Sequence, residues 1–411
     1  MAKGKIDRIY PWIVVGLLWV VALLNYLDRQ MLSTMKEAMQ IDIVELESAI
    51  NFGRLMAIFL WIYGLVSPFA GAIADRVSRK WLIVISLAVW SAVTLCMGFS
   101  VSYNQIFWLR ALMGVSEALY IPASLSLIAD YHTGKNRSLA IGIHMTGLYV
   151  GQGLGGFGAT IAAAFSWQQT FHWFGIIGIV YSIFLIFLLS EKRTERHEID
   201  TENRVNPSVL KSFGMIFSNM AFWAILFFFA STSLPGWAIR NWLPTLYSDS
   251  LVIPMSKAGP ISTITIAISS FIGIIIGGPL SDRWVKRNIK GRIYTSALGL
   301  SLMIPALILL GLGSNMFSAV LSGLFFGIGY GMFDANNMPI LCQFVPNRLR
   351  ATAYGIMNMT GVISGAICTQ VLGKFADEGN LGPAFAILGG ITLLALLIQV
   401  TVLKPETDDM P

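Results

Sequence analysis

Apolar residues run along this chain in blocks of about twenty, separated by short polar gaps in which Lys and Arg concentrate. Twelve blocks can be traced, at 12–33, 50–73, 81–101, 104–129, 138–164 and 168–190, then 218–247, 258–281, 292–313, 315–341, 350–374 and 382–403. Each is long enough to cross a hydrocarbon layer ~30 Å thick as a helix. Helix is the expected state throughout. Open strands leave backbone groups unsatisfied in lipid, and barrel strands would alternate apolar and polar positions. The basic stretch before Trp12 is read as the flank of a first span rather than as a secretory leader. The apolar run behind it reaches about Leu32 without a small-residue cleavage site.

The polar gaps set the orientation. With the N-terminus in the cytoplasm, 21 Lys and Arg fall on inner gaps and three, Lys36, Lys257 and Lys374, on outer ones. That asymmetry predicts a multi-pass protein of the plasma (inner) membrane with both termini cytoplasmic. The longest hydrophilic gap, about Glu191 to Lys211, divides the spans six and six. The expected organisation is therefore an N-terminal six-helix bundle (1–190), a cytoplasmic linker (191–217) and a C-terminal six-helix bundle (218–411).

Composition agrees. The 411 residues are 55% hydrophobic and only 12% charged, about half the charge of a soluble domain. The formal net charge of +6 does not indicate nucleic-acid binding, because the basic residues are dispersed among the gaps. Cys96, Cys342 and Cys368 lie inside apolar runs without CxxC spacing, so neither a disulfide nor a metal site is expected.

The halves repeat one another. Gly71-Ala-Ile-Ala-Asp75-Arg76 ends the second span and Gly278-Pro-Leu-Ser-Asp282-Arg283 the eighth. Arg137 to Gly151 in the fifth span is matched by Arg350 to Gly365 in the eleventh, including Met145-Thr146-Gly147 and Met359-Thr360-Gly361. A near-constant offset of this kind points to duplication, and paired repeats around a midplane site are a transporter architecture.

These motifs resemble the major facilitator superfamily along essentially the whole chain. Gly71-x-x-x-Asp75-Arg76-x-x-Arg79-Lys80 is similar to its signature loop, with Ser78 where Gly is usual. Gly147-x-x-x-Gly151-Gln152-x-x-Gly155-Gly156 is similar to its fifth-span glycine motif, with Gln152 in place of proline. Asn25-Tyr26-Leu27-Asp28-Arg29 and Arg110-x-x-x-Gly114-x-x-Glu117-Ala118 resemble the anion:cation symporter family, which carries sugar acids and other organic anions. Leu119 departs from its usual proline. Ala74 to Lys80 followed by Trp90-Ser91-x-Val93-Thr94-Leu95 also resembles the spinster-like lipid transporters.

Ionisable residues at bilayer depth are costly and are functional candidates by default. Arg29 lies roughly 25 Å along the first helix and Arg110 roughly 9 Å down the fourth from its outer start, at similar levels. Glu117 lies two turns past Arg110 on the same face, roughly 10 Å deeper, with Gly114 between them. Guanidinium forks suit carboxylate or phosphate, and a buried acid beside them can change protonation with occupancy. The resemblance implies that Arg29 holds the substrate anion, that Asp28 and Glu117 couple protons, and that Arg110 assists either. The alternative is a purely structural interhelical network of the same four residues. Tyr63, Tyr149, Gln152, Trp237, Asn241 and Asn358 are further candidate substrate contacts. Asp334 is a candidate for substrate or gating roles or an inner-side structural bond. His144 is a ligand contact, a proton relay or a group packed against a polar neighbour. Arg54 and Arg240 are either an electropositive outer mouth or snorkelling anchors. Asp75, Arg76, Arg79, Asp282 and Arg283 are read as conformational gates.

The function expected is a proton-coupled symporter that moves a small organic anion, a sugar acid or related carboxylate, by alternating access, with a spinster-like carrier of lysolipids or other amphiphiles as the alternative. No enzyme is expected, since nucleotide-loop, HExxH and GxSxG patterns do not occur. The expected form is a monomer without cofactor, the proton serving as coupling ion.

Overall fold

The protein is described here by a computed structural model covering residues 2–132, 136–191, 214–346 and 349–407. Twelve long helical stretches account for nearly all of it: α1 (Ala2–Leu32), α2 (Ala49–Arg76), α3 (Arg79–Met97), α4 (Tyr103–Ala118, resuming as Tyr120–Tyr131), α5 (Arg137–Gly155, resuming as Gly158–Ala164), α6 (Trp167–Leu188), α7 (Met220–Leu251), α8 (Met255–Val285), α9 (Gly291–Leu312), α10 (Met316–Asp334, resuming as Asn337–Phe344), α11 (Arg350–Asp377) and α12 (Leu381–Val402). Apart from the start of α1, their ends fall within four residues of the expected spans. Eleven are long and apolar enough to cross a membrane; the glycine-rich α5 completes the array. Most of the expected linker lies outside the described residues.

The breaks in α4 and α10 have the same cause. Pro122 and Pro339 sit in the first turn of each resumed segment. A proline has no N–H to donate, and its ring crowds the carbonyl four residues earlier, here Ala118 and Ala335. Each break is preceded by an acid five residues before the proline, Glu117 in α4 and Asp334 in α10.

The halves pack by the same scheme. In the first, α1 lies on α5, α2 on α4, and α3 on both α4 and α6. In the second, α7 lies on α11, α8 on α10, and α9 on both α10 and α12. The halves meet along α2 with α11 and along α5 with α8.

The α2–α11 seam is closed at one end only. A methyl group on Gly53 would lie 3.0 Å from the Thr369 carbonyl, and one on Gly373 would lie 2.5 Å from the Ala49 carbonyl. Gly71 and Gly355 each lie 18 residues from these, five whole helical turns, and so share their faces. A methyl at either would meet nothing within 4 Å. The helices thus touch at the end away from the chain termini and part toward the end that carries them. Polar ties reinforce the closed end. The Asp377 carboxylate accepts from the Ala49 and Ile50 amides at 2.5 and 3.0 Å and from the Ser48 hydroxyl at 2.9 Å. Thr160 donates to the Ser256 carbonyl at 2.7 Å, linking α5 to the start of α8.

Candidate transport site

Arg29 stands in the last turn of α1, where the exposed carbonyls of a helix C-terminus favour a cation. Its Nε donates to Oε2 of Glu117 on α4 at 2.5 Å. Glu117 is fully buried, and the Arg29 side chain is 11% exposed. The guanidinium lies over the rings of Tyr26, Phe59 and Tyr63, at 5.0, 4.9 and 4.6 Å from their centroids. Phe59 is shared with Arg110, whose guanidinium is 4.7 Å from the same ring. Arg110 is buried and makes no ion pair among the described residues; its Nη1 faces the Met113 sulfur at 3.1 Å. The close approach of α2 to α4 that creates this cluster requires Gly114, where a methyl would lie 2.7 Å from the Phe59 carbonyl. Asp28 follows the helix about 100° away from Arg29 and accepts from the Thr94 hydroxyl at 2.9 Å, deep against α3. Both acids belong to the cluster, but only Glu117 bonds an arginine.

The second half carries a different arrangement. Arg240 on α7 lies over Trp237 at 5.1 Å and Tyr330 at 5.5 Å, with no carboxylate in ion-pair range among the described residues. It lines two adjoining recesses. One is bounded also by Tyr149, Gln152, Ser270 and Tyr330. The other adds Gln30, Ser262 and Thr263. Gln30, next to Arg29, donates to the Arg240 carbonyl at 2.7 Å, so the two arginine-bearing turns touch across the halves. Asp334, at the end of the first segment of α10, is exposed. It accepts from the Tyr149 hydroxyl of the opposite half at 3.5 Å and from Asn337 at 3.2 Å.

Arg240 does not form an outer mouth, contrary to one expectation from the sequence. It sits at mid-helix against the central recesses, because α7 extends eleven residues beyond it to Leu251. Arg54 is exposed near the start of α2 and lines neither recess. Asp334 likewise faces the space between the halves rather than a purely inner-side bond. His144 is buried with its ring 3.4 Å from the Ser124 hydroxyl and edge-on to Tyr120 at 6.1 Å; it packs inside the first half and reaches no recess. Asn241 donates to Thr369 at 2.8 Å, tying α7 to α11. Asn358 is half-buried on α11. Of the gating candidates, the Asp75 side chain lies outside the described residues, and Arg76, Asp282 and Arg283 are exposed. Arg79 pairs with Asp130 at the end of α4, and its amide donates to Glu191 at 2.9 Å, as does the Ser78 hydroxyl. Those contacts bind α3 to its own half.

The two arginine–acid sets are related by the internal repeat. Arg29 and Arg240 are 211 positions apart, as are Tyr26 and Trp237, and Glu117 and Asp334 are 217 apart. These offsets are close to those of the glycine and Asp-Arg motifs, and the shared acid-to-proline spacing was a further sequence signal.

Residues 18–369 match the Major Facilitator Superfamily. The hexuronate transporter of Escherichia coli (strain K12) is 24% identical over 417 residues, covering 96% of this chain and 94% of that protein. Protein spinster homolog 1 of Xenopus laevis is 29% identical over 408 residues, covering 92% and 75% respectively. Among solved structures, a bacterial homolog of the human lysosomal transporter spinster, in an inward-facing and occupied conformation, superposes with a TM-score of 0.79 at 18% identity, over 95% of this chain and 96% of that one.

Proposed function

The chain belongs to the Major Facilitator Superfamily, and on that premise we propose that it is a proton-coupled symporter carrying a small organic anion, a sugar acid or related carboxylate, by alternating access. The observation that carries this reading is the buried Arg29–Glu117 pair, one residue from the Gln30 that lines a recess together with Arg240, which makes no ion pair among the described residues. While Glu117 is ionised it neutralises Arg29. Protonation releases the guanidinium and adds one positive charge to the site, so an anion binds better with the proton than without it.

Charge accounting favours obligatory coupling. With Asp28 and Glu117 ionised, they balance Arg29 and Arg110. A proton on Glu117 together with a bound monoanion restores the same balance. Either ligand alone leaves one net charge in a low-dielectric interior, at a cost of a few kcal/mol. The empty and fully loaded carriers are therefore the states that reorient most readily. On release toward the side where α2 and α11 part, loss of the proton re-forms the ion pair and expels the anion. In this reading that side is the cytoplasm, the membrane is the plasma (inner) membrane, and one chain suffices.

Uptake into proteoliposomes under an imposed pH gradient, with a panel of sugar acids, tests this. Acid outside should drive accumulation of a carboxylate, and Glu117→Gln should abolish accumulation while keeping exchange. Undiminished accumulation in that variant would remove Glu117 from the coupling. The 29% identity to a spinster homologue favours a second reading, a carrier of lysolipids or similar amphiphiles. The same panel includes lysolipids, and their transport in place of every sugar acid would select it.

A further inference from the structure

The C-terminal arginine–acid pair is an opened copy of the N-terminal one. Arg29 touches its acid at 2.5 Å, whereas Arg240 and Asp334 form no ion pair. Each has instead turned to neutral groups, Arg240 to the faces of Trp237 and Tyr330, Asp334 to the hydroxyl of Tyr149 and the amide of Asn337. Tyr149 joins the two ends. It borders a recess with Arg240, and its hydroxyl meets Asp334.

Depth gives the two charges an order. Arg240 lies eleven residues from the far end of α7, roughly 17 Å, and Asp334 eighteen residues from the corresponding end of α10, roughly 27 Å. Asp334 is therefore roughly 10 Å nearer the open end. Tyr330, one turn before Asp334 on α10, fills the step between them. The positive pole, Arg240 with the Arg29 turn beside it, is the nearer of the two to the closed end; the negative pole lies toward the open end.

We propose that Arg240 and Asp334 are the two poles of a recognition site for polyhydroxylated monocarboxylates. This rests on the symport reading above. The carboxylate lies at the closed end on the Arg240 guanidinium. The hydroxyl-bearing tail runs toward the opening and donates to Asp334, a carboxylate that can accept several such bonds. Gln152, Ser262, Thr263 and Ser270 supply polar groups along the recess walls. A dicarboxylate of the same length would set its second carboxylate against Asp334, where like charges repel. Asp334 thus acts against the wrong partner, selecting aldonates and uronates over aldarates.

Competition in proteoliposome exchange tests this. Unlabelled galactonate, galacturonate and galactarate are compared as competitors of whichever labelled monocarboxylate the wild-type protein exchanges. Galactarate should compete at least tenfold more weakly than the monoacids. Asp334→Asn and Asp334→Ser should each raise galactarate competition relative to galactonate about tenfold, whatever the fall in overall rate. Arg240→Gln should weaken all three acids together. Wild-type protein that accepts galactarate as well as galactonate overturns the assignment, as do Asp334 variants that exchange galactonate with an unchanged ratio. Should both Asp334 variants fail to fold, the wild-type ratio alone decides. Wild-type protein that exchanges no sugar acid at all overturns the symport reading, and this site with it.

Discussion

Replacing Asp377 with Ala should shift the protein away from the conformation seen here. Asp377 ends α11 in the second half, yet its carboxylate caps the first turn of α2 in the other half, through the Ala49 and Ile50 amides and the Ser48 hydroxyl. Ser48, the residue placed to cap α2, makes no side-chain cap of its own. The helix therefore takes its N-terminal acceptor from across the interface, and it has that acceptor only while this end is closed. Loss of such a cap costs about 0.5–2 kcal/mol, and the exposed position of Asp377 argues for the lower part, ~1 kcal/mol. A change of ~1 kcal/mol alters a two-state ratio about fivefold. Spin labels at residues 104 and 317, on the closed end of opposite halves, would report it in a background without Cys96, Cys342 and Cys368. The population with the longer inter-label distance should rise about fivefold relative to the shorter. An unchanged distance distribution in a well-folded variant would refute the idea that this contact holds the end shut.

Gly114→Val should overpack the α2–α4 contact, costing about 1–3 kcal/mol and lowering the midpoint of thermal denaturation in detergent; an unchanged midpoint would show that the Phe59 backbone yields freely. Val252 caps α7 with φ 53°, a left-handed conformation unfavourable to a β-branched residue, and it is 89% exposed. Val252→Gly should therefore stabilise by about 1 kcal/mol, read as a raised midpoint in the same assay. His144→Asn should leave pH-gradient-driven accumulation in place, because the imidazole packs on Ser124 and Tyr120 away from the recesses. Loss of accumulation with retained exchange would instead make His144 part of the proton path.

Much was determined by the linear order of residues. Twelve apolar blocks, the excess of basic residues on alternate gaps and the internal repeat specify a twelve-helix, two-bundle membrane fold, since lipid leaves the backbone no alternative to helix. Membrane depth also singled out Arg29, Arg110, Glu117 and Asp334, because a charge cannot stand in an apolar block without a partner or a cavity. Partners and facing directions were decided by packing. Adjacent residues Asp28 and Arg29 went to different neighbours, one to Thr94 and one to Glu117, because a helix turns about 100° per residue. Arg240 proved central rather than peripheral through the reach of α7 beyond it. Packing set the ring of His144 against Ser124 and Tyr120 inside the first half. Above all, the two related arginine–acid sets differ in their contacts: Arg29 bonds Glu117, whereas Arg240 and Asp334 meet neutral groups. Whether such a pair closes on itself or stays open to a ligand depends on contacts between residues some two hundred positions apart, which no local pattern encodes.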